Sequence, residues 1–161
     1  QYTASLGEIK PTRCGRHLSY LCPGGVVKAK GGDIVIMGFL HHWPDLCAAM
    51  GRADLATAPG WASDAERMEH QAEVIAFIER WLQSFPDVDS AVAAMDAHDV
   101  PNAPVLSIEQ TVKHPHFIER GTIRTINDPV AGEFQIPGHP IRSSLFANNH
   151  DFVAPLLGEH N

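Results

Sequence analysis

From Ser63 to Leu82 the chain carries one apolar stripe at helical spacing, and a stripe that long must be covered by other parts of the fold. Met68, Ile75, Ile78 and Leu82 form it, and Val74 and Trp81 widen it toward a core. Its start is marked, because the Ser63 hydroxyl can cap a free amide while Glu66 reaches back in a capping box. The pattern predicts a single helix from Ser63 to Leu82. Upstream, Trp43, Leu46, Cys47 and Met50 fall at i, i+3, i+4 and i+7, with Pro44 tolerated in the first turn and Gly51 suited to the left-handed position after the last. Downstream, the spacing returns at Val88, Ala91, Val92 and Met95 before Asp99 and Pro101 close the segment, Asp being a weaker substitute for Gly at a helix end. Ser107 and Gln110 form a second capping-box pair and open a brief helix toward Lys113.

The covering surface is expected from short strands. Val26 to Ala29 and Asp33 to Met37 are rich in β-branched residues and are separated by Lys30-Gly31-Gly32, the pattern of two strands and a tight turn. A short extended piece follows at Pro104 to Leu106, and Thr122 to Ile126 with Glu133 to Ile136 suggests a second hairpin around Asp128 to Gly132. The fold class implied is α+β, with the long helix packed on a small antiparallel sheet drawn from both hairpins and with Ile75, Ile78 and Trp81 in the core. At 161 residues the chain can bury one such core. Gln1 to Pro23 mixes Gly, Pro, Ser and Thr without a period and reads as an extended arm. Beyond Pro137, Gly138, Pro140, Asn148, Asn149 and Pro155 mark an irregular tail suited to lying on another domain. The expected organisation is therefore an arm over 1–24, a small domain over 25–136 and an irregular C-terminal segment over 137–161.

Charge narrows the functional classes. The net charge of −7 argues against general nucleic-acid binding, which depends on accumulated Lys and Arg. The basic residues are uneven: residues 1 to 30 hold Lys10, Arg13, Arg16, Lys28 and Lys30 against Glu8 alone, so an anionic ligand or an acidic neighbouring domain belongs at that end. No apolar run approaches a membrane span, and Gln1 to Lys10 lacks the basic start and apolar stretch of a signal peptide, so a cytoplasmic protein without membrane partners is expected. Cys14, Cys22 and Cys47 cannot all pair and form no C-x-x-C motif, which suits buried or incidental thiols in a reducing compartment. Ten histidines raise the question of a metal, but His41-His42 and His114-x-His116 lack a helical i, i+4 pair or a Cys/His cluster, and no metal site is expected.

One segment combines glycines with cations. Cys22-Pro23-Gly24-Gly25 is followed by Lys28, Lys30, Gly31 and Gly32, so bare backbone amides could meet a ligand whose charge nearby ammonium groups neutralise. Neither a P-loop nor a G-x-G-x-x-G fingerprint is satisfied, and two hairpin turns beside a solvated Lys pair explain the same residues. No G-x-S-x-G elbow is present, and no Ser, His and Asp can be nominated as a triad.

Taken in order, several weak motifs form a strong series. Thr12-Arg13-Cys14-Gly15-Arg16-His17, the strand-turn-strand from Val27 to Val35, and Trp43-Pro44-Asp45-Leu46-Cys47 with Gly51-Arg52-Ala53-Asp54-Leu55 lead into Arg67 and Trp81-Leu82. Val100-Pro101-Asn102-Ala103-Pro104-Val105, His114-Pro115, Arg120-Gly121, Gly138-His139-Pro140-Ile141-Arg142 and Ala154-Pro155-Leu156-Leu157-Gly158-Glu159-His160 continue it. The series resembles the class III CoA-transferase family, which includes formyl-CoA transferase, carnitine CoA-transferase and α-methylacyl-CoA racemase, across essentially the whole chain.

The resemblance implies a two-domain subunit in which a large N-terminal α/β domain binds most of CoA and supplies an aspartate nucleophile. This chain would be the small domain and C-terminal segment, and its tail would return to that α/β domain. It implies interlocked homodimers, acyl-CoA and a small carboxylic acid as substrates, no covalently bound cofactor, and transfer through an aspartyl-CoA thioester. No aspartate here matches the nucleophile, whose region is expected upstream of Gln1, so this chain alone is expected to be inactive and has no catalytic residue. The region from Arg16 to Gly25 resembles by position the glycine-rich lid of formyl-CoA transferase, with Gly24-Gly25 where that enzyme has a run of glycines. The CoA- or substrate-binding residues implied are Arg16, Gly24, Gly25, Lys28, Lys30, Gly31 and Gly32, with Lys30 near a phosphate. Two alternatives remain: a non-catalytic CoA-binding or dimerisation module, and a racemase-like isomerase. The second is disfavoured because Gly38-Phe39-Leu40-His41 has no acid where racemases resemble G-A-L-E.

Overall fold

A computed structural model of the chain describes residues 13–141, 144–145 and 155–159. The expected arm from Gln1 to Thr12 and the tail residues Asn148 and Asn149 lie outside the described residues. The elements run β1 (Gly24–Ala29), β2 (Gly32–Met37), α1 (Trp43–Ala49), α2 (Asp64–Glu69), α3 (Gln71–Leu82), α4 (Val88–Asp96), β3 (Asn102–Pro104), α5 (Ile108–Lys113), α6 (Pro115–Glu119), β4 (Ile123–Asp128) and β5 (Gly132–Pro137). The α+β class expected from the pattern is the one observed. Chain contacts divide it into two compact units, Gln1–Val105 and Leu106–Asn161. The division falls inside the 25–136 stretch read above as one small domain.

In the first unit β1, β2 and β3 form an antiparallel sheet with β2 in the middle. The β1–β2 turn has two residues, Lys30 and Gly31, because Ala29 pairs with Gly32. Gly31 sits at φ +87°, a left-handed conformation that glycine adopts without a Cβ penalty. Alternation then sends Val27 and Ala29 of β1, and Ile34 and Ile36 of β2, to the core face. β3 starts two residues earlier than the expected Pro104–Leu106 piece and pairs Ile34 with Pro104. It is an edge strand, where a residue lacking an N–H is tolerated.

Helices cover the inner face of this sheet. Val74, Ile75, Ile78 and Leu82 of α3 are buried against it together with Trp43, Leu46, Cys47, Ala91 and Met95. Trp81, expected in the core, is only partly buried and stands edge-on to Phe85 at 5.2 Å. The Ser63–Glu66 capping box forms as expected, but the helix it opens stops at Glu69 and restarts at Gln71. His70 leaves helical geometry, at φ −110° and ψ 24°. The physical reason lies in two anchors: Arg67 fastens α2 to the Trp61–Ala62 loop, whereas α3 follows the sheet.

The two hairpins do not share a sheet. β4 and β5 form a separate two-stranded ribbon in the second unit, so the joint sheet expected above is corrected to one three-stranded and one two-stranded sheet. The expected Ser107–Gln110 capping box opens α5. No described residue of the second unit is buried. Among the described residues, no helix is long and apolar enough to cross a membrane.

Candidate functional site

The segment from Arg16 to Gly25 is a loop whose ends meet. The Val26 amide donates to the Arg16 carbonyl at 2.9 Å, the Leu18 amide donates to Gly24 at 2.8 Å, and His17 bridges to Gly25. Its inner side is fastened from the helices. Gln71 Nε2 donates to the Leu18 carbonyl at 2.8 Å, and Arg67 Nε donates to the Cys22 carbonyl at 2.7 Å. Tyr20 stays outside this clasp, 73% exposed.

Arg67 is fully buried, which nothing in a charged residue's sequence position announces. Each of its three guanidinium nitrogens donates to a surrounding oxygen: the Cys22 carbonyl, the Trp61 and Ala62 carbonyls at 2.8 and 3.0 Å, and the Asp64 carboxylate. The guanidinium also lies 4.6 Å from the Trp43 ring centroid, a cation–π contact. A buried charge is tolerated only when paired and hydrogen-bonded in this way. Cys22 and Cys47 are buried close enough to feel its charge. Burial pushes their thiols up to about 11 and about 12, the Arg67 charge partly opposing the rise.

The glycines of the candidate site separate by role. A Cβ at Gly25 would collide with the Arg16 carbonyl oxygen, one at Gly24 would meet Leu21 Cδ2 at 3.0 Å, and one at Gly32 would meet Val88 Cγ2 at 2.9 Å. Those three let chain segments approach each other. Only Gly31 faces open space. The edge amides of β1 are also taken, Val26 by the Arg16 carbonyl and Lys28 by Glu79 Oε1 at 2.9 Å. Bare amides around Gly24 and Gly25 therefore give way to side-chain cations as the available ligand contacts.

Those cations are carried by one hairpin and the loop beside it. Lys28 is exposed on the outer face of β1, Lys30 is exposed in the turn beside Gly31, and Arg16 reaches the same face from the loop. Arg16 Nη2 lies 2.6 Å from Asp33 Oδ1, and its Nε donates to the Val26 carbonyl at 3.4 Å. Asp33 was missed by sequence reading, although a two-residue turn at Lys30-Gly31 already places it across from Lys28. The hairpin offers Arg16, Lys28 and Lys30 with the Asp33 carboxylate, and with the Glu79 carboxylate at the β1 edge, around an open glycine turn, an arrangement able to hold a multiply charged anion. It holds no pair of groups that could act as nucleophile and base. Among the described residues no group of three or more His, Cys, Asp or Glu could hold a metal ion.

An α+β fold alone leaves the family open; the sequence comparison narrows it. The chain belongs to CoA-transferase family III, whose model matches residues 1–161. It is 30% identical over 144 residues to formyl-CoA:oxalate CoA-transferase of Escherichia coli O157:H7, covering 86% of this chain and 34% of that protein. It is 31% identical over 157 residues to succinyl-CoA–D-citramalate CoA-transferase of Chloroflexus aurantiacus, covering 96% of this chain and 39% of that one. Among solved structures, Rv3272 from M. tuberculosis superposes with a TM-score of 0.76 at 26% identity, over 88% of this chain and 40% of that chain. A CAIB/BAIF family protein from Brucella suis shares the fold at a TM-score of 0.75 and 22% identity, over 99% and 40%. The chain thus spans little more than a third of the curated relatives' length.

Proposed function

We propose that this chain is the small-domain and C-terminal part of an acyl-CoA:carboxylate CoA-transferase and that the outer face of its β1–β2 hairpin receives the phosphates of CoA. The observation that carries the reading is that one hairpin presents Lys28 and Lys30 exposed, with Arg16 paired to Asp33 opposite Lys28, beside Gly31, whose side faces open space. The two relatives named above, both CoA-transferases, support it. Ammonium and guanidinium groups recognise phosphate oxygens by charge-assisted hydrogen bonds, and an exposed turn leaves room for a bulky nucleotide end. The Arg16–Gly25 loop is the lid on this reading, and its fastening by Arg67 and Gln71 supports a cover that moves as one piece.

The reaction proposed is covalent exchange. An aspartate supplied by an N-terminal α/β domain attacks the acyl-CoA carbonyl, expelling the CoA thiolate and forming a mixed anhydride. The thiolate then attacks the aspartyl carbonyl, releasing the donor acid and leaving an aspartyl-CoA thioester. The acceptor carboxylate attacks that thioester in turn, and the thiolate released takes the acceptor's acyl group, regenerating the aspartate. The covalent route divides one difficult exchange into easier steps, the more reactive anhydride in each half being consumed by the thiolate. The site on this chain contributes binding and orientation. The protein works on this reading in the cytoplasm, as a homodimer.

The test has two arms. Titrating CoA against the chain by calorimetry should show binding, and replacing Lys28 and Lys30 together with Gln should weaken it about tenfold. A protein joining this chain to its α/β domain should move CoA from a thioester to a free acid, and hydroxylamine should trap the aspartyl intermediate. Failure to transfer CoA to any carboxylate would end this reading. One observation favours a second reading, a non-catalytic CoA-binding or dimerisation module: the second unit buries none of its described residues and so offers its apolar groups for docking. In that case CoA binding persists and no partner domain confers transfer.

A further inference from the structure

The outer face of the β1–β2 hairpin is not uniformly cationic. Asp33 lies directly across from Lys28 in the strand register and forms the 2.6 Å ion pair with Arg16. The Arg16 guanidinium therefore bridges both strands, through Val26 on one and Asp33 on the other. Each side chain of the pair is 41% exposed, so it meets solvent and any ligand that lands there.

We infer that Asp33 is the specificity-determining residue of this face: its carboxylate occupies Arg16 and yields it only to an anion carrying more charge than a carboxylate. The inference rests on the reading of the hairpin as a phosphate-receiving surface and adds a filter to it. A carboxylate and a phosphate ester compete for the same planar fork of donors. A free monocarboxylate offers Arg16 no more than Asp33 already does, and it must also sit beside the Asp33 charge. A phosphate dianion, or the several phosphates of CoA, engages Arg16, Lys28 and Lys30 together and outweighs that repulsion. Because the Arg16–Asp33 pair is half in water, it is weak enough to be displaced. The surface thereby keeps small acids, the co-substrates of the proposed reaction, out of the position meant for the CoA phosphates.

Asp33→Asn keeps the shape of the side chain and removes its charge, and exposure makes the substitution mild for folding. A melt followed by circular dichroism checks that the variant is folded. CoA is titrated against the wild-type chain, Asp33→Asn and the double variant Arg16→Gln/Asp33→Asn. Acetate is present or absent at constant ionic strength. Asp33→Asn should bind CoA about three- to tenfold more tightly, and acetate should now compete, whereas it leaves the wild type unaffected. The double variant should lose both changes. An unchanged CoA affinity in Asp33→Asn, acetate competition already present in the wild type, or a gain that survives loss of Arg16 overturns the inference while leaving the phosphate-face reading intact. If neither the wild type nor Asp33→Asn binds CoA, that reading falls and the filter with it.

Discussion

The two units bury their apolar groups to very different degrees. In the first, sheet and helices enclose Val27, Ile34, Ile36, Trp43, Leu46 and Ile78 at 1% exposure or less. In the second, a two-stranded ribbon and two short helices leave Ile108 83% exposed and no described residue buried. Leu106, Ile108, Val112, Ile123 and Ile136 instead line a cleft of about 370 Å³. A hairpin with one partial cover is marginal in water, whereas three strands with a packed helical face support a cooperative core. The difference teaches that the buried core of the described residues lies in the first unit. On the reading proposed above, the α/β domain or a second copy covers the exposed apolar groups of the second unit.

The sharpest way to break this contrast is through Arg67. Arg67→Met removes the donors of three backbone carbonyls and the partner of Asp64, and should destabilise the first unit by about 3 to 5 kcal/mol in chemical denaturation. Ile78→Ala, in the same core at 0% exposure, should cost about 2 to 5 kcal/mol through lost burial and the cavity left behind. Should either variant melt like the parent, the first unit would not be the stable body described here.

The buried thiols give a second measurement of the same core. Cys22 and Cys47 titrate at about 11 and about 12 in the folded chain, against 9.0 for an exposed thiol, with burial as the leading cause. The folded state thus holds protons that the unfolded state releases. Their contribution to stability is complete below pH 9 and is lost as pH rises toward 11 to 12. Denaturation midpoints should fall across that window. At pH 8 a thiol reagent should modify the exposed Cys14 promptly, with Cys22 and Cys47 reacting only after unfolding. Three fast thiols in the native chain would contradict the packing around Arg67.

Much of this was legible from residues three or four apart. Ser63 with Glu66 and Ser107 with Gln110 are local pairs, so their capping boxes could be read before any fold was known, and Asp99 does close α4 at φ +54°. The hairpins were equally local. What escaped was set by long-range geometry. The break at His70 and the burial of Arg67 depend on which loop α2 meets, and nothing in the helical period encodes that. The separation of the two sheets depends on β3 taking the free edge of β2. In the candidate site, Gly24, Gly25 and Gly32 suggested an open cradle because sequence cannot distinguish a glycine kept for a ligand from one kept for a neighbouring chain segment. Arg16, Lys28, Lys30 and Gly31, all nominated for binding, are exposed, and an unforeseen Asp33 pairs with Arg16.

The smallest expected effect is the most telling for the second unit. Ile108 heads α5 and lines the cleft, yet most of its side chain already meets solvent. Ile108→Ser therefore removes little buried area, and its effect on the unfolding free energy of the isolated chain should stay within about 0.5 kcal/mol in chemical denaturation. The same substitution in a protein that also carries the proposed α/β domain should cost more, because a docked partner would cover that side chain. Measuring both separates the two origins of stability. A loss in the isolated chain comparable to that of Ile78→Ala would mean the second unit has a core of its own after all. An equal and negligible loss in both proteins would mean that nothing docks on this cleft.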